Sequence, residues 1–389
     1  MISTKNVVFS NFKNKIRSVI VKNEIKLLLK DDKNEVLNSL KSEFKYTYSN
    51  KFIKKFRGKF SFIRLIGMGG SILGTKAIYS FLNKKIKKKI YFFDNLLPNI
   101  KKIKKKNILN IIVSKSGNTL ETISNTNSIV DKSQKNILIT ENNNNFLRNL
   151  SNKLKAEIVD HNNFIGGRYS VLSEVGMLPA SLVGLNPKKF KQFNSLIKKK
   201  SFINSIILNV SSILFFLKKK KYNSIILNYD EDSNDLFAWY QQLIGESLGK
   251  KQKGIFPLIS TMPKDNHSLM QLYLDGPQKN FFTFFNVKGE KSNKIINDTI
   301  PDSLNYIKNK NFNQILNAQR VATEIVFRKK NIPFRSIQIK KRNEEALGEL
   351  FTFFIIETIL IAKCLKINPY DQPSVELIKD NTKKILKSL

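Results

Sequence analysis

The sequence predicts an α/β protein built as two doubly wound α-β-α sandwich domains with a C-terminal helical arm. Three observations point there. Short apolar runs alternate with helix-length segments, the pattern of βαβ units and parallel sheets. The pattern restarts after a punctuated stretch at Pro187-Lys-Lys-Phe and Lys198-Lys-Lys. The 389 residues, 41% of them hydrophobic, are enough for two such domains and more than one large core.

The first set opens with the β-rich run Phe60–Ile66, which ends in Gly67-Met-Gly-Gly-Ser. Ile90–Phe93, Ile108–Val113 and Asn136–Thr140 read as further strands, separated by helices at Ser71–Leu82, Thr119–Val130 and Asn145–Lys155. In the second set Ser224–Asn228, Gly254–Ser260 and Phe281–Asn286 read as strands, with a helix at Phe237–Leu248 between the first two. A helix over Glu344–Lys366 precedes the turn-rich Asn368-Pro-Tyr-Asp-Gln-Pro, and a last helix runs from about Val375 to Leu389. The expected organisation is an N-terminal helical segment (1–45), a first domain (46–190), a second domain (191–366) and the arm (367–389). No internal repeat at a fixed period is visible.

Composition narrows the function classes. The single cysteine, Cys364, excludes a disulfide framework and a Cys-based zinc site. Two histidines, His161 and His267, argue against a His-rich metal centre. The N-terminus has no uninterrupted apolar segment of signal-peptide type, and the greasy stretch Phe351–Leu365 carries Glu357 and Lys363 and is too short to span a bilayer. A cytoplasmic protein with no membrane contact is the expectation. The net charge of +38 raises a nucleic-acid reading, since 68 Lys+Arg face 30 Asp+Glu. The excess is lysine in short scattered runs, such as Lys84–Lys89, Lys101–Lys106, Lys198–Lys200 and Lys218–Lys221. Recognition modules favour arginine, whose planar fork reads phosphate and guanine. A solvated lysine surface therefore fits better than a nucleic-acid partner, although the positive field would steer a dianionic substrate.

Two strand-to-helix junctions carry chemistry. Gly67-Met-Gly-Gly-Ser-Ile-Leu-Gly74 lets a ligand approach the backbone, but Ile72 breaks the dinucleotide spacing and no Gly-Lys-Ser/Thr follows. Gly69, Gly70 and Ser71 are its candidate contacts, with a tight structural turn as the alternative. Val113-Ser-Lys-Ser-Gly-Asn-Thr-Leu-Glu-Thr122 is sharper. Its hydroxyls at Ser114, Ser116, Thr119 and Thr122, with Lys115, cluster where a helix N-terminus presents free N–H groups, a setting for phosphate. An ordinary N-cap is the plainer alternative.

Ser114-Lys-Ser-Gly-Asn-Thr-Leu-Glu-Thr resembles the phosphate loop of sugar-isomerase (SIS) domains, and Gly67-Met-Gly-Gly-Ser-Ile-Leu-Gly resembles the glycine loop of the glucose-6-phosphate isomerase family. The resemblance continues in order through Gly166-Gly-Arg-Tyr-Ser-Val-Leu-Ser173, Gln242-Leu-Ile-Gly-Glu-Ser-Leu-Gly-Lys250, the region of His267, and Asp371-Gln-Pro-Ser-Val-Glu-Leu-Ile-Lys379. It implies reversible conversion of glucose 6-phosphate to fructose 6-phosphate through a cis-enediol, without metal or redox cofactor.

On the family pattern Glu246 is the base that moves the proton, and Arg168 the cation that stabilises the enediolate. His267, with Lys379 beside it, is the ring-opening acid/base, and Gln242 and Gln372 are ligand contacts. One helical turn sets Gln242 on the same face as Glu246. In the family the histidine comes from the neighbouring subunit, which implies a homodimer with a shared site. Two departures bear on selectivity and ring opening: Leu248 stands where many members carry Asn, and Lys264-Asp-Asn-His replaces Gly-x-x-x-His. A dual phosphoglucose/phosphomannose isomerase and a non-enzymatic SIS-type sugar-phosphate sensor are the alternatives. The sensor predicts loss of the base and an attached DNA-binding module. Glu246, His267 and Lys379 are present, and residues 1–45 lack a helix-turn-helix pattern.

Overall fold

A computed structural model describes residues 2–13, 16–96, 107–289 and 291–389. The lysine run at 101–106 lies outside them. The N-terminal segment, expected to be helical, opens with two short strands, β1 (Ile2–Ser3) and β2 (Val7–Ser10). In β2 the pleat turns Val7 and Phe9 inward, and Phe9 packs its ring 4.7 Å from Phe353. Only then does helix α1 (Val19–Lys30) begin, with the Ser18 hydroxyl accepting from the Val21 N–H as its cap.

The first sheet is wholly parallel. It comprises β3 (Phe62–Gly67), β4 (Lys89–Phe93), β5 (Ile108–Val113), β6 (Lys135–Glu141) and β7 (Glu157–His161), in the order β4-β3-β5-β6-β7. Central β5 is buried at every residue, as a strand covered on both faces must be. Its covering helices include α2 (Leu73–Phe81), α3 (Leu120–Ile129), α4 (Phe146–Leu154) and α5 (Glu174–Leu182).

After α6 (Lys200–Lys218) the chain builds a second sheet from β8 (Asn223–Asn228), β9 (Phe256–Thr261), β10 (Asn280–Val287) and β11 (Phe334–Ile339). These four are parallel, and β2 adds antiparallel to β11, giving the order β1-β2-β11-β10-β8-β9. Helix α7 (Asn234–Leu248) follows β8, α8 (Phe312–Lys329) precedes β11, and α9 (Glu344–Cys364) and α10 (Glu376–Ser388) close the chain.

Helix α6 is apolar and long enough to cross a membrane by length and composition, but 56% of that window is buried inside the fold. Its polar Ser205 and Asn209 are buried and bond Asn11, so it is a core helix here. Helix α9 is buried along almost its whole length and packs on α1, α6 and α7. Beneath it Arg335 of β11 meets Glu357 in a two-pronged ion pair, with both side chains 2% exposed or less. Helix α7 packs on α2, so the helix after the glycine loop of one sheet touches the first helix after β8 of the other. That contact brings the two halves of the site together.

Candidate active site

The loops at the carboxyl ends of β3 and β5 mark the usual position for ligands in doubly wound sheets, and the β3 loop meets the last turns of α7 from the second half of the chain. At the end of β3, Gly69–Ser71 form one 3-10 turn. Gly70 lies so close to the Gly167–Arg168 backbone that a Cβ there would sit 2.1 Å from the Gly167 carbonyl carbon. Gly69 has φ +50° and faces the Gln242 amide, 2.7 Å from where its Cβ would be. Both glycines are therefore required by close approach, and Gly69 also by its backbone angle.

Arg168 is the hub. It is 2% exposed, and all five of its N–H donors have acceptors. Nε donates to Ser247 Oγ at 2.9 Å, and Nη1 donates to Glu246 Oε2 at 3.0 Å and Gln372 Oε1 at 3.3 Å. Nη2 donates to the carbonyls of Pro369 at 2.6 Å and Asp371 at 3.0 Å. The Trp239 indole N–H in turn donates to the Arg168 carbonyl at 3.1 Å, holding its backbone. Glu246 stands in the last turn of α7, where Gln242 Nε2 donates to its Oε1 at 2.8 Å. Each carboxylate oxygen thus has one fixed donor, which orients the group. Gln242 Oε1 is buried and unpartnered, an acceptor left for a ligand hydroxyl. Tyr169 backs the cluster through its hydroxyl, bonded to Ser247 and the Pro369 carbonyl, and burial pushes its pKa up to about 12.

The second cluster follows β5. Gly117 takes φ +67° to turn the chain, and a Cβ there would strike Asn145 Oδ1 at 1.9 Å. Thr119 is the N-cap residue of α3 but makes no capping bond, because its hydroxyl pairs with Ser114 Oγ at 2.9 Å. The first N–H groups of α3 are left without a side-chain cap, which suits an anion. Thr122 Oγ1, one turn in, is buried and unpartnered. Lys115 is half-buried at the rim, 3.4 Å from Glu141, and Ser116 is exposed, its hydroxyl accepting from the Asn118 N–H at 3.3 Å. Gly67 pairs with Val113 across β3 and β5, so the glycine loop and this loop leave the sheet side by side.

The fold therefore joins Gly69, Gly70, Arg168, Gln242, Glu246 and Gln372 in one contiguous set, with Ser114, Lys115, Ser116, Thr119 and Thr122 at the neighbouring strand end. It does not bring His267 or Lys379 to them. His267 ends the short turn Lys264–His267 after β9 and is exposed, and Lys379 is exposed on α10, paired with Glu376 at 2.7 Å. Sequence reasoning gave no role to Ser247, Lys250 or Tyr169, although all three lie inside the quoted motifs. His161 ends β7, buried, opposite Glu141. Burial lowers its pKa to about 4, the Asn162 carbonyl bond opposes this, and nearby Lys115 adds to the lowering. Among the described residues no three His, Cys, Asp or Glu side chains converge as a metal site.

Comparison with known proteins gives the family of the chain. Residues 5–258 match the phosphoglucose isomerase family. A glucose-6-phosphate isomerase of Methanocaldococcus jannaschii is 34% identical over 80% of this chain and 81% of its own. One of Campylobacter jejuni is 29% identical over 90% of each chain. Among solved structures, a hypothetical protein of Thermus thermophilus superposes with TM-score 0.81 at 22% identity, covering 95% of this chain and 94% of its own. A glucose-6-phosphate isomerase of Chlamydia trachomatis gives TM-score 0.69 at 19% identity, over 98% and 81%. At those identities the structural likeness speaks for the fold alone. The sequence matches carry the assignment, and by them this chain belongs to the phosphoglucose isomerase family.

Proposed function

We propose that this chain interconverts glucose 6-phosphate and fructose 6-phosphate by proton transfer, as a cytoplasmic enzyme of glycolysis and gluconeogenesis. The observation that carries the reading is the buried Arg168 guanidinium held 3.0 Å from Glu246, next to a hydroxyl loop whose helix start is uncapped. The phosphate of the substrate binds in the loop 114–122, using the Ser114, Ser116, Thr119 and Thr122 hydroxyls, Lys115 and the α3 N–H groups. The sugar extends toward Gln242, whose free Oε1 accepts a hydroxyl. Glu246 takes the C2 proton of the open-chain aldose and returns it to C1. Arg168 faces the negative charge that develops on the enediolate oxygen, already oriented by its other bonds. His267 and Lys379 open the ring.

Because both lie outside the Glu246 cluster of their own chain, the reading includes a homodimer in which His267 serves the partner's site. The apolar residues Leu377, Ile378, Ile385 and Leu386 of α10 are 50–69% exposed, which supports burial against a second copy.

The test is formation of fructose 6-phosphate by purified protein, with mannose 6-phosphate as a selectivity control. Glu246→Gln is expected to lose ~10²–10⁴-fold in kcat. Near-wild-type turnover in that variant would remove Glu246 as the base. Mixing Glu246→Gln with His267→Ala is expected to restore about a quarter of wild-type activity, since only one of the two mixed sites keeps both groups. No recovery on mixing, with subunit exchange verified, rules out a site shared through His267.

A further inference from the structure

Lys250 lies just past the end of α7, where the helix closes at Gly249. Its side chain is 10% exposed and its ammonium meets three oxygens. They are Asp371 Oδ1 at 2.9 Å, the Asn368 carbonyl at 2.5 Å and the Ser247 carbonyl at 3.4 Å. Burial lowers its pKa, opposed by the Asp371 bond.

The turn 368–372 that Lys250 grips is the segment on which Arg168 depends. Three of the five Arg168 acceptors belong to it: the Pro369 carbonyl, the Asp371 carbonyl and Gln372 Oε1. The other two, Ser247 and Glu246, sit at the end of α7. The contacts form a closed ring. Helix α7 ends in Lys250, Lys250 holds the turn, the turn holds Arg168, and Arg168 returns to Glu246 on α7. Within the turn only short side-chain bonds help, from Asn368 to Asp371 Oδ2 and from the Tyr370 N–H to Asn368 Oδ1, both at 3.0 Å. Outside it, Asn34 donates to the Tyr370 hydroxyl at 2.7 Å and Tyr169 to the Pro369 carbonyl at 3.0 Å. Lys250 is the charged tie that joins the turn to the helix bearing the base.

We infer that Lys250 is a positioning residue of the isomerisation: it fastens the turn 368–372 to the end of α7 so that Arg168 keeps its guanidinium against Glu246. The inference rests on the functional reading above. Its physical basis is preorganisation, since a cation stabilises developing charge only if it is already aimed when the proton leaves. A displacement on the order of 1 Å costs ~10²-fold in rate.

Four variants test it: Lys250→Ala, Lys250→Arg, Asp371→Ala and the double Lys250→Ala/Asp371→Ala. Lys250→Ala is expected to lower kcat ~10–10²-fold, with KM for fructose 6-phosphate changed less than about threefold. Arginine reaches the same oxygens and recovers most of the loss. Asp371→Ala, which leaves α7 untouched, lowers kcat less, and the double variant is no worse than Lys250→Ala. Two readouts need no activity. Amide exchange across 366–376 quickens in Lys250→Ala, and the emission of Trp239, the sole tryptophan, shifts because its indole is bonded to Arg168. Wild-type kcat in Lys250→Ala, additive losses in the double variant, or unchanged exchange across the turn would each overturn the inference. An inactive wild type would overturn the functional reading instead. Exchange and Trp239 emission would then still decide whether Lys250 holds the turn.

Discussion

Replacing Gly70 by alanine is the sharpest steric test of how the site is assembled. An added Cβ would lie 2.1 Å from the Gly167 carbonyl carbon, 2.3 Å from its oxygen and 2.5 Å from the Arg168 nitrogen. All three are backbone atoms, so no rotamer change relieves the clash. Reaching even 3.0 Å requires the two backbones to part by about 0.9 Å. The β3 side cannot give, because Gly67 is buried and pairs with Val113 of β5, a strand buried at every residue. The 167–168 side must move, and it carries Arg168. Overpacking of this kind costs about 1–3 kcal/mol of stability. Shifting Arg168 by nearly 1 Å costs ~10²-fold in kcat. The assay is fructose 6-phosphate turnover well below the melting temperature, beside a urea titration that isolates the stability loss. A Gly70→Ala protein that is destabilised yet keeps kcat within about threefold of wild type, under 1 kcal/mol of barrier, would refute the reasoning. Gly69→Ala is the internal contrast. There φ +50° costs an alanine ~1–2 kcal/mol, but the neighbour is the tip of Gln242, which can swing away. Swinging breaks its bond to Glu246, so about a tenfold loss of kcat is expected.

Two further predictions concern stability. His161 is held neutral by burial, its pKa lowered from 6.5 to about 4. As pH falls from 6.5 towards 4 the unfolded chain takes up a proton that the folded chain refuses. Stability therefore drops over that window by up to about 3 kcal/mol and levels off below it. Urea titrations at several pH values should show His161→Gln losing less stability than wild type across the same interval, and parallel pH profiles would refute the burial argument. Glu357→Ala leaves Arg335 buried and unpaired between the Phe12 and Phe353 rings, with its guanidinium carbon 5.5 Å from each ring centroid. It is expected to cost ~3–5 kcal/mol by denaturant titration, and a loss below 1 kcal/mol would mean that water reaches Arg335.

The same buried pair shows why part of the fold was not legible in the sequence. Strand β5 coincides with the predicted Ile108–Val113, because a parallel strand covered on both faces is apolar at every position. Strand β11 alternates cleanly, yet one of its inward residues is Arg335, which reads as a solvent residue until Glu357 arrives from α9. Strand β7 escapes for a similar reason, since its buried residues include His161. Strand β2 is four residues long and has meaning only against β11.

The site divides along the same line. Gly69, Gly70, Gln242 and Glu246 each sit on an element visible in its own window, and in the fold Gly69 faces Gln242, which donates to Glu246. Arg168 was nominated by its motif, but its environment could not be, because its acceptors come from α7 and from a turn some 200 residues later in the chain. Five donors satisfied by two distant segments leave the guanidinium no alternative pose. The charge that would steady the enediolate is therefore fixed by tertiary contacts, not by its local sequence. That dependence is why substitutions at Pro369 and Asp371 in the C-terminal turn, which supply no proton-transfer group, are expected to act on kcat before they act on binding.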